Sequence, residues 1–279
     1  MTRRSLQESM HPALPWAWAG SLLVLLVSGR SRSEYATSLA VIVSSFIIFK
    51  AAKIPPQRRR VFYLGISLAG FAIAFRLGIA LIIGVPMPGK VLFHIPELTL
   101  PHFIVGIRIG GAVTSDRLLS ALSESLLFAA IVISTALANS LKPPHALLRT
   151  LPRRLFGLGV ATSIATSVTP QTALSISRVN RALHLRGDTS RGLNRARRLM
   201  MPVLEESLER SIDLASALEV RGYGRTRNTV RYRASQWKVH DSIPVAAILL
   251  VGLALPYLQA NVGVEFFLIL AAALTVLIA

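Results

Sequence analysis

Cysteine is absent from the 279 residues, which excludes disulfides, iron–sulfur clusters and thiolate metal sites. Charge is scarce, at 16% of residues, and acidic charge scarcer still, with 13 Asp and Glu against 31 Lys and Arg. A soluble domain of this length carries more charge and no long apolar runs. Aromatic residues make up only 7%, so no stacking surface accompanies the net charge of +18. That argues against a nucleic-acid partner. The clustered aspartates of membrane prenyltransferases are missing as well.

What the chain does have is hydrophobic length. An apolar run of about 18 to 20 residues crosses the hydrocarbon core as a helix. Six segments approach or exceed that: roughly 13–29, 36–52, 61–85, 117–138, 243–259 and 263–279. Arg3 and Arg4 precede the first, but Trp16 and Trp18 read as interface anchors and no small-x-small cleavage site follows, so a retained helix is expected. Arginines gather at 58–60, 149–154 and 178–233, which marks those stretches as cytoplasmic and places both termini inside. Arg30 and Arg32 fall outside and conflict mildly with this topology. Residues 86–116, with four prolines and Gly110-Gly111, read as an outer loop with a re-entrant or surface segment. The run 155–169 is apolar but short and flanked by basic clusters, so it reads as cytoplasmic and interfacial.

A polar block at 171–240 has helical periodicity. Met201, Leu204, Leu208, Ser211, Ala215 and Leu218 recur at three- and four-residue steps, with acidic and basic residues between them. The small residues in this stripe would let another helix cross closely. Pro202 marks a first turn or a kink, and from there to Arg221 the helix would run about 30 Å. Within the block a motif occurs twice. Residues 182–187 read Ala-Leu-His-Leu-Arg-Gly and residues 217–222 read Ala-Leu-Glu-Val-Arg-Gly. Gly187 and Gly222 can take the left-handed conformation that stops a helix, which leaves Arg186 and Arg221 in the last turn. Two readings stay open on pattern alone. Each arginine caps its own helix, or the two tips are matched plugs whose planar guanidinium groups hold carboxylates on two copies of a partner.

These residues resemble the coupling region of the transmembrane T component of energy-coupling-factor transporters, the EcfT/CbiQ-type family. The likeness rests on Met201-Pro202-Val203-Leu204, on Arg210-Ser211 through Leu214-Ala215-Ser216-Ala217-Leu218-Glu219-Val220-Arg221-Gly222-Tyr223, and on Arg181-Ala182 through Arg186-Gly187-Asp188. Residues 134–148 are similar more loosely, and Leu185 and Val220 stand where the family usually has alanine. The resemblance implies an all-α integral membrane protein of about six spans with a cytoplasmic domain of crossed coupling helices. Its parts would be a bundle at 1–140, a coupling domain at 141–240 and a helix pair at 241–279. It further implies a non-catalytic scaffold in the cell membrane that needs no cofactor. Such a scaffold grips two ABC-type ATPase subunits, or one fused pair, and works with a small membrane-embedded substrate-binding (S) component for uptake of a vitamin or a transition-metal ion. The residues assigned to ATPase binding are Ala182, Arg186, Gly187, Ala217, Arg221 and Gly222. Leu204, Leu208, Ser211, Ala215 and Leu218 form the crossing stripe.

Competing patterns are weaker. Gly84 to Lys90 matches a phosphate-loop spacing, but Val91 replaces the Ser/Thr and two prolines interrupt it. Glu205-Glu206 with Arg210 matches the E-E-x-x-x-R of CAAX-type intramembrane proteases, the alternative function. Yet no histidine has Phe four residues before it, and Glu206–Arg210 is an ordinary i,i+4 pair on a polar face. His94, Glu97 and His102 share the outer loop at loose spacing, more typical of solvated side chains than of a metal site. Arg76, midway along the third span, is expected to face the bundle interior with Glu124 as a structural partner. Few polar residues lie in the spans, which argues against a permease that binds substrate itself.

Overall fold

The computed structural model describes residues 11–27, 34–52, 54–83, 88–98, 109–150, 156–187, 190, 192–223, 237–255, 257 and 261–277. In chain order the elements are α1 (Leu14–Val27), α2 (Glu34–Ala51), α3 (Pro56–Ile82), β1 (Val91–Leu98), β2 (Ile109–Thr114) and α4 (Ser115–Leu141). After a 3-10 turn at Pro144–Thr150 come α5 (Phe156–Leu185), α6 (Leu193–Val220), α7 (Val239–Ala254) and α8 (Val262–Leu274). They divide into two compact units, Met1–Ala146 with Ser235–Ala279, and Leu147–Ala234.

In the first unit each of the six apolar segments coincides with a helix. Among the described residues, α2, α3 and α4 are long and apolar enough to cross a membrane, whereas α1, α7 and α8 are apolar but shorter. Two prolines explain the sharp turn between α2 and α3. Pro55 and Pro56 cannot continue a helix, but Pro56 suits the first position of a new one. Side-chain hydrogen bonds fix which helix ends share a side. Trp16 Nε1 donates to the Lys142 carbonyl (2.8 Å), Trp18 Nε1 to the Ala273 carbonyl (3.0 Å) and Arg58 to the Leu141 carbonyl (3.3 Å). The His11 and Trp237 rings meet edge to face at 4.9 Å. The starts of α1, α3 and α7 therefore lie at one end of the bundle with the ends of α4 and α8. At the other end Tyr35 donates to the Leu119 carbonyl (2.8 Å) and Arg117 to that of Ile83. Trp18 corrects the reading of an interface anchor. It is 1% exposed, and its indole N–H is satisfied within the bundle.

The closest packing is between α3 and α4. A Cβ added to Gly65 would collide with the Ala136 Cβ. In lipid the tails are as apolar as the helices, so association depends on such close backbone approach rather than on water expulsion. The core of the unit holds Leu22, Val41, Ile48, Phe62, Leu137 and Ile269, all essentially inaccessible.

The segment read as an outer loop has secondary structure that the sequence did not suggest. In it β1 and β2 form an antiparallel pair with Val91 opposite Thr114 and Ile95 opposite Gly111. Pro96 sits where the register shifts between Ile95 and Leu98, a place where a missing N–H costs no ladder bond. Gly110 and Gly111 both have φ of +93°, which only glycine adopts cheaply. Arg117, 3% exposed, ties the pair down by donating to the carbonyls of Ile83 and, at 3.4 Å, Ala112.

The second unit is a helical hairpin. Its first helix is longer than expected. The run read as a separate interfacial segment, 155–169, continues through Pro170 as the 30-residue α5. Likewise α6 starts at Leu193, nine residues before Pro202, and passes through that proline. Threonine hydroxyls flank the first proline, with Thr169 and Thr172 bonding back to the Ala165 and Val168 carbonyls (2.9 and 3.1 Å).

Candidate functional site: two arginine-tipped helices

Both helices of the second unit stop in the same way. In α5 the Arg186 N–H donates to the Ala182 carbonyl (3.1 Å) and the Gly187 N–H to that of His184 (3.0 Å). In α6 the Gly222 N–H reaches the Glu219 carbonyl (2.9 Å) and the Tyr223 N–H that of Leu218 (3.0 Å), a complete Schellman stop. Gly187 and Gly222 take φ of +73° and +74°. An added Cβ would meet nothing within 4 Å at either, so conformation and not space requires glycine there. Arg186 and Arg221 are exposed, and among the described residues neither guanidinium has a side-chain partner. The residue before each is an aliphatic left almost bare, Leu185 at 85% and Val220 at 88% exposure.

Contacts along the hairpin show α5 and α6 running antiparallel. Ser175 and Arg178 meet Glu206, while Asn180 and His184 meet Arg195. The two Arg-Gly tips therefore lie at opposite ends of the pair. With 28 residues in α6, they stand about 40 Å apart.

Glu206 is the polar centre of the hairpin. Its carboxylate accepts from the Ser175 hydroxyl, from Arg178 (2.8 Å) and from Arg210 (2.7 Å). The Ser175 hydrogen bond, then the two guanidinium groups, hold its carboxyl below the usual range. The i,i+4 pair with Arg210 was readable in sequence. The bonds to α5 were not, because they depend on the register of two helices about thirty residues apart. Glu206 accordingly belongs to the inter-helix face and not to an outer polar one. Beside it lies a cavity of about 200 Å³ lined by Ile164 and Val168 of α5 and by Ser207, Ser211, Ala215 and Leu218 of α6. The expected stripe is thus divided. Ser211, Ala215 and Leu218 line this cavity, whereas Leu204 and Leu208 do not, although Ser211 and Ala215 are exposed as Leu204 and Leu208 are.

No protein-family model matches the chain. Curated relatives do. Over 262 residues it is 23% identical to the energy-coupling factor transporter transmembrane protein EcfT of Macrococcus caseolyticus, covering 92% of this chain and 95% of that one. The EcfT of Limosilactobacillus fermentum is 28% identical over 156 residues, half of this chain and 58% of that protein. The EcfT of Lactobacillus helveticus is 43% identical over 58 residues, a fifth of this chain and 21% of that protein. Against the last two, the chain therefore spans from about a fifth to somewhat over half of the relative's length. The chain is thus similar to EcfT-type proteins, in one case over most of its length.

Other candidate groups in this EcfT-like chain fall outside the hairpin. Arg76 and Glu124 are paired, Nε to Oε2 at 3.0 Å, but their side chains are 40% and 58% exposed, so Arg76 faces outward and not into the bundle. Among the described residues no three of His, Asp and Glu converge on one point. His94 is an exposed residue of β1, and His102 and the Glu97 side chain lie outside what is described. Val91 opens a strand that follows the glycine–lysine turn, whereas a phosphate loop runs from strand to helix. Three buried charged groups escaped the sequence reading: Arg117, Asp241 at the start of α7, and Glu265 of α8, the last 1% exposed with Oε2 unpartnered among the described residues. A lone acid in an otherwise apolar segment was the available signal for Glu265.

Proposed function

We propose that this chain is the transmembrane energy-coupling scaffold of an importer. It would grip two ABC-type ATPase domains, separate or fused, and pass their motion to a small membrane-embedded S component that binds a vitamin or a transition-metal ion. The observation that carries the proposal is the pair of tips. Each presents a bare aliphatic, an exposed arginine with no side-chain partner among the described residues and a glycine turn, at opposite ends of one braced hairpin. Arg186 and Arg221 can each enter a groove that supplies a carboxylate, with Leu185 or Val220 covering its apolar wall. Ala182 and Ala217, one turn back, leave room for the groove's rim. The names of the relatives support the same reading. The alternative of a membrane hydrolase is disfavoured by chemistry, since the Glu206 carboxylate is already bound by Ser175, Arg178 and Arg210.

Co-expression with candidate ATPase and S subunits tests this. The complex should purify intact and take up substrate on ATP hydrolysis. The double variant Arg186→Glu and Arg221→Glu should still insert in the membrane but release the ATPases, because repulsion replaces attraction in a poorly solvated groove, at several kcal/mol. ATPase retention by the double variant refutes the plug reading. Peptide hydrolysis by the purified chain, lost on Glu205→Gln, would establish the hydrolase instead.

A further inference from the structure

Where α2 ends and α3 begins, the bundle holds a cavity of about 360 Å³ that belongs neither to the hairpin nor to the arginine tips. Water occupies about 30 Å³ in the liquid, so the space is an order of magnitude too large for one molecule. Its lining is of two kinds. Phe46, Phe49, Phe62 and Tyr63 form an ordered aromatic wall, with Phe49 stacked on Phe62 at 4.0 Å and Phe46 edge-on to Phe62 at 5.6 Å. Lys50 and Arg59 supply two cations. Arg59 is oriented by a hydrogen bond from its Nε to the Ile54 carbonyl (2.9 Å), which leaves its terminal nitrogens for another acceptor.

Among the described residues no carboxylate pairs with the charges around this cavity, and the ion pairs lie elsewhere, at Glu124 and Glu206. Arg58, Arg59 and Arg60 occupy the first turns of α3, where the helix dipole is itself positive and the first turn holds no acidic residue. A basic cluster that merely marks the cytoplasmic side has no need of a cavity or an aromatic floor. An amphiphile with one anionic phosphate and an acyl chain fits both halves.

We propose that this cavity binds an anionic phospholipid, its phosphate between Lys50 and Arg59 and an acyl chain along Phe46, Phe49, Phe62 and Tyr63. Basic pockets at helix ends facing the cytoplasmic leaflet are suited to such head groups. That the lipid comes from that leaflet rests on the cytoplasmic placement of this end of the bundle, whereas binding itself does not.

Native mass spectrometry of the full chain in mild detergent, with any subunits that co-purify, tests the site. The probes are phosphatidylglycerol and phosphatidylcholine with identical chains. The unaltered protein should prefer phosphatidylglycerol by about thirtyfold, the effect of two basic side chains at a membrane surface. Lys50→Gln with Arg59→Gln should bring the lipids to parity. Lys50→Arg with Arg59→Lys should keep the preference, as should Arg60→Gln, an exposed arginine outside the cavity lining. Equal retention of both lipids by the unaltered protein overturns the proposal, and that comparison needs no variant. Displacement of phosphatidylglycerol by millimolar inorganic phosphate overturns it too, since the site would then take a soluble anion. These measurements are made in detergent, so a wrong membrane orientation would leave them unchanged and would appear only in side-specific labelling of cells.

Discussion

Glu206 carries more of the hairpin than any other single side chain. It joins Ser175 and Arg178 of α5 to Arg210 of α6, so removing its charge leaves two guanidinium groups facing each other without a counter-ion. Glu206→Gln should therefore speed hydrogen exchange in α5 and α6 several-fold while leaving α3 and α4 unchanged. Glu205→Gln, on an exposed neighbour, should change exchange in none of these helices. Because the folded pKa is depressed, the stabilisation is present above the ordinary carboxylate range and is lost only as the pH falls through the lowered value. Protection factors in the hairpin, which divide out the intrinsic base catalysis of exchange, should be flat from about pH 5 to 8 and fall only in stronger acid. A drop in protection near neutral pH would mean that another group controls the hairpin. The Arg-Gly stops, by contrast, were legible in the sequence. They are local, set by glycine's tolerance of positive φ after a helical run, and both appear at the positions the motif gives.

At the scale of elements, the small residues of α6 are informative. Ser211, Ala215 and Ser207 face the cavity against Ile164 and Val168, and the serine hydroxyls bond back within their own helix, Ser207 to Val203 and Ser211 to Ser207, both at 2.7 Å. The crossing surface is thus effectively apolar and shallow. Ser211→Leu or Ala215→Leu fills that space. Where the fit is tight, overpacking costs about 1–3 kcal/mol and shifts α5 against α6. Both should impair coupled uptake more than Glu209→Ala, and equal effects would show that this face does not set the hairpin. Periodicity had grouped Leu204 and Leu208 with these residues, but neither lines the cavity. A stripe read at three- and four-residue steps is wider than the strip a single antiparallel neighbour covers, so its flank stays bare. Pro202 reads as a first turn or a kink, and Pro170 falls between the run 155–169 and the block 171–240, yet both sit within continuous helices of 28 and 30 residues.

For the whole molecule, hydropathy located every helix of the bundle, because lipid forces backbone polar groups to pair within the segment. It could not place the β1–β2 pair, whose prolines and glycines resemble loop composition until the register is known. Nor could it reveal which helix ends share a side, which here follows from indole and guanidinium donors on distant carbonyls. Those bonds gather the starts of α1, α3 and α7 and the ends of α4 and α8, so the basic residues at 58–60 and the chain leading into the hairpin leave the bundle on one side. By the positive-inside bias that side is expected to be the cytoplasm. The chain has no cysteine, so a single one can be introduced without background. Asn194, exposed in the first turn of α6, is a suitable position. Asn194→Cys should react with an impermeant maleimide in inside-out vesicles and stay unlabelled in intact cells, while transport is unaffected. Labelling from outside intact cells would put the arginine tips on the wrong face for any ATP-binding partner, and the scaffold reading would fall with the orientation.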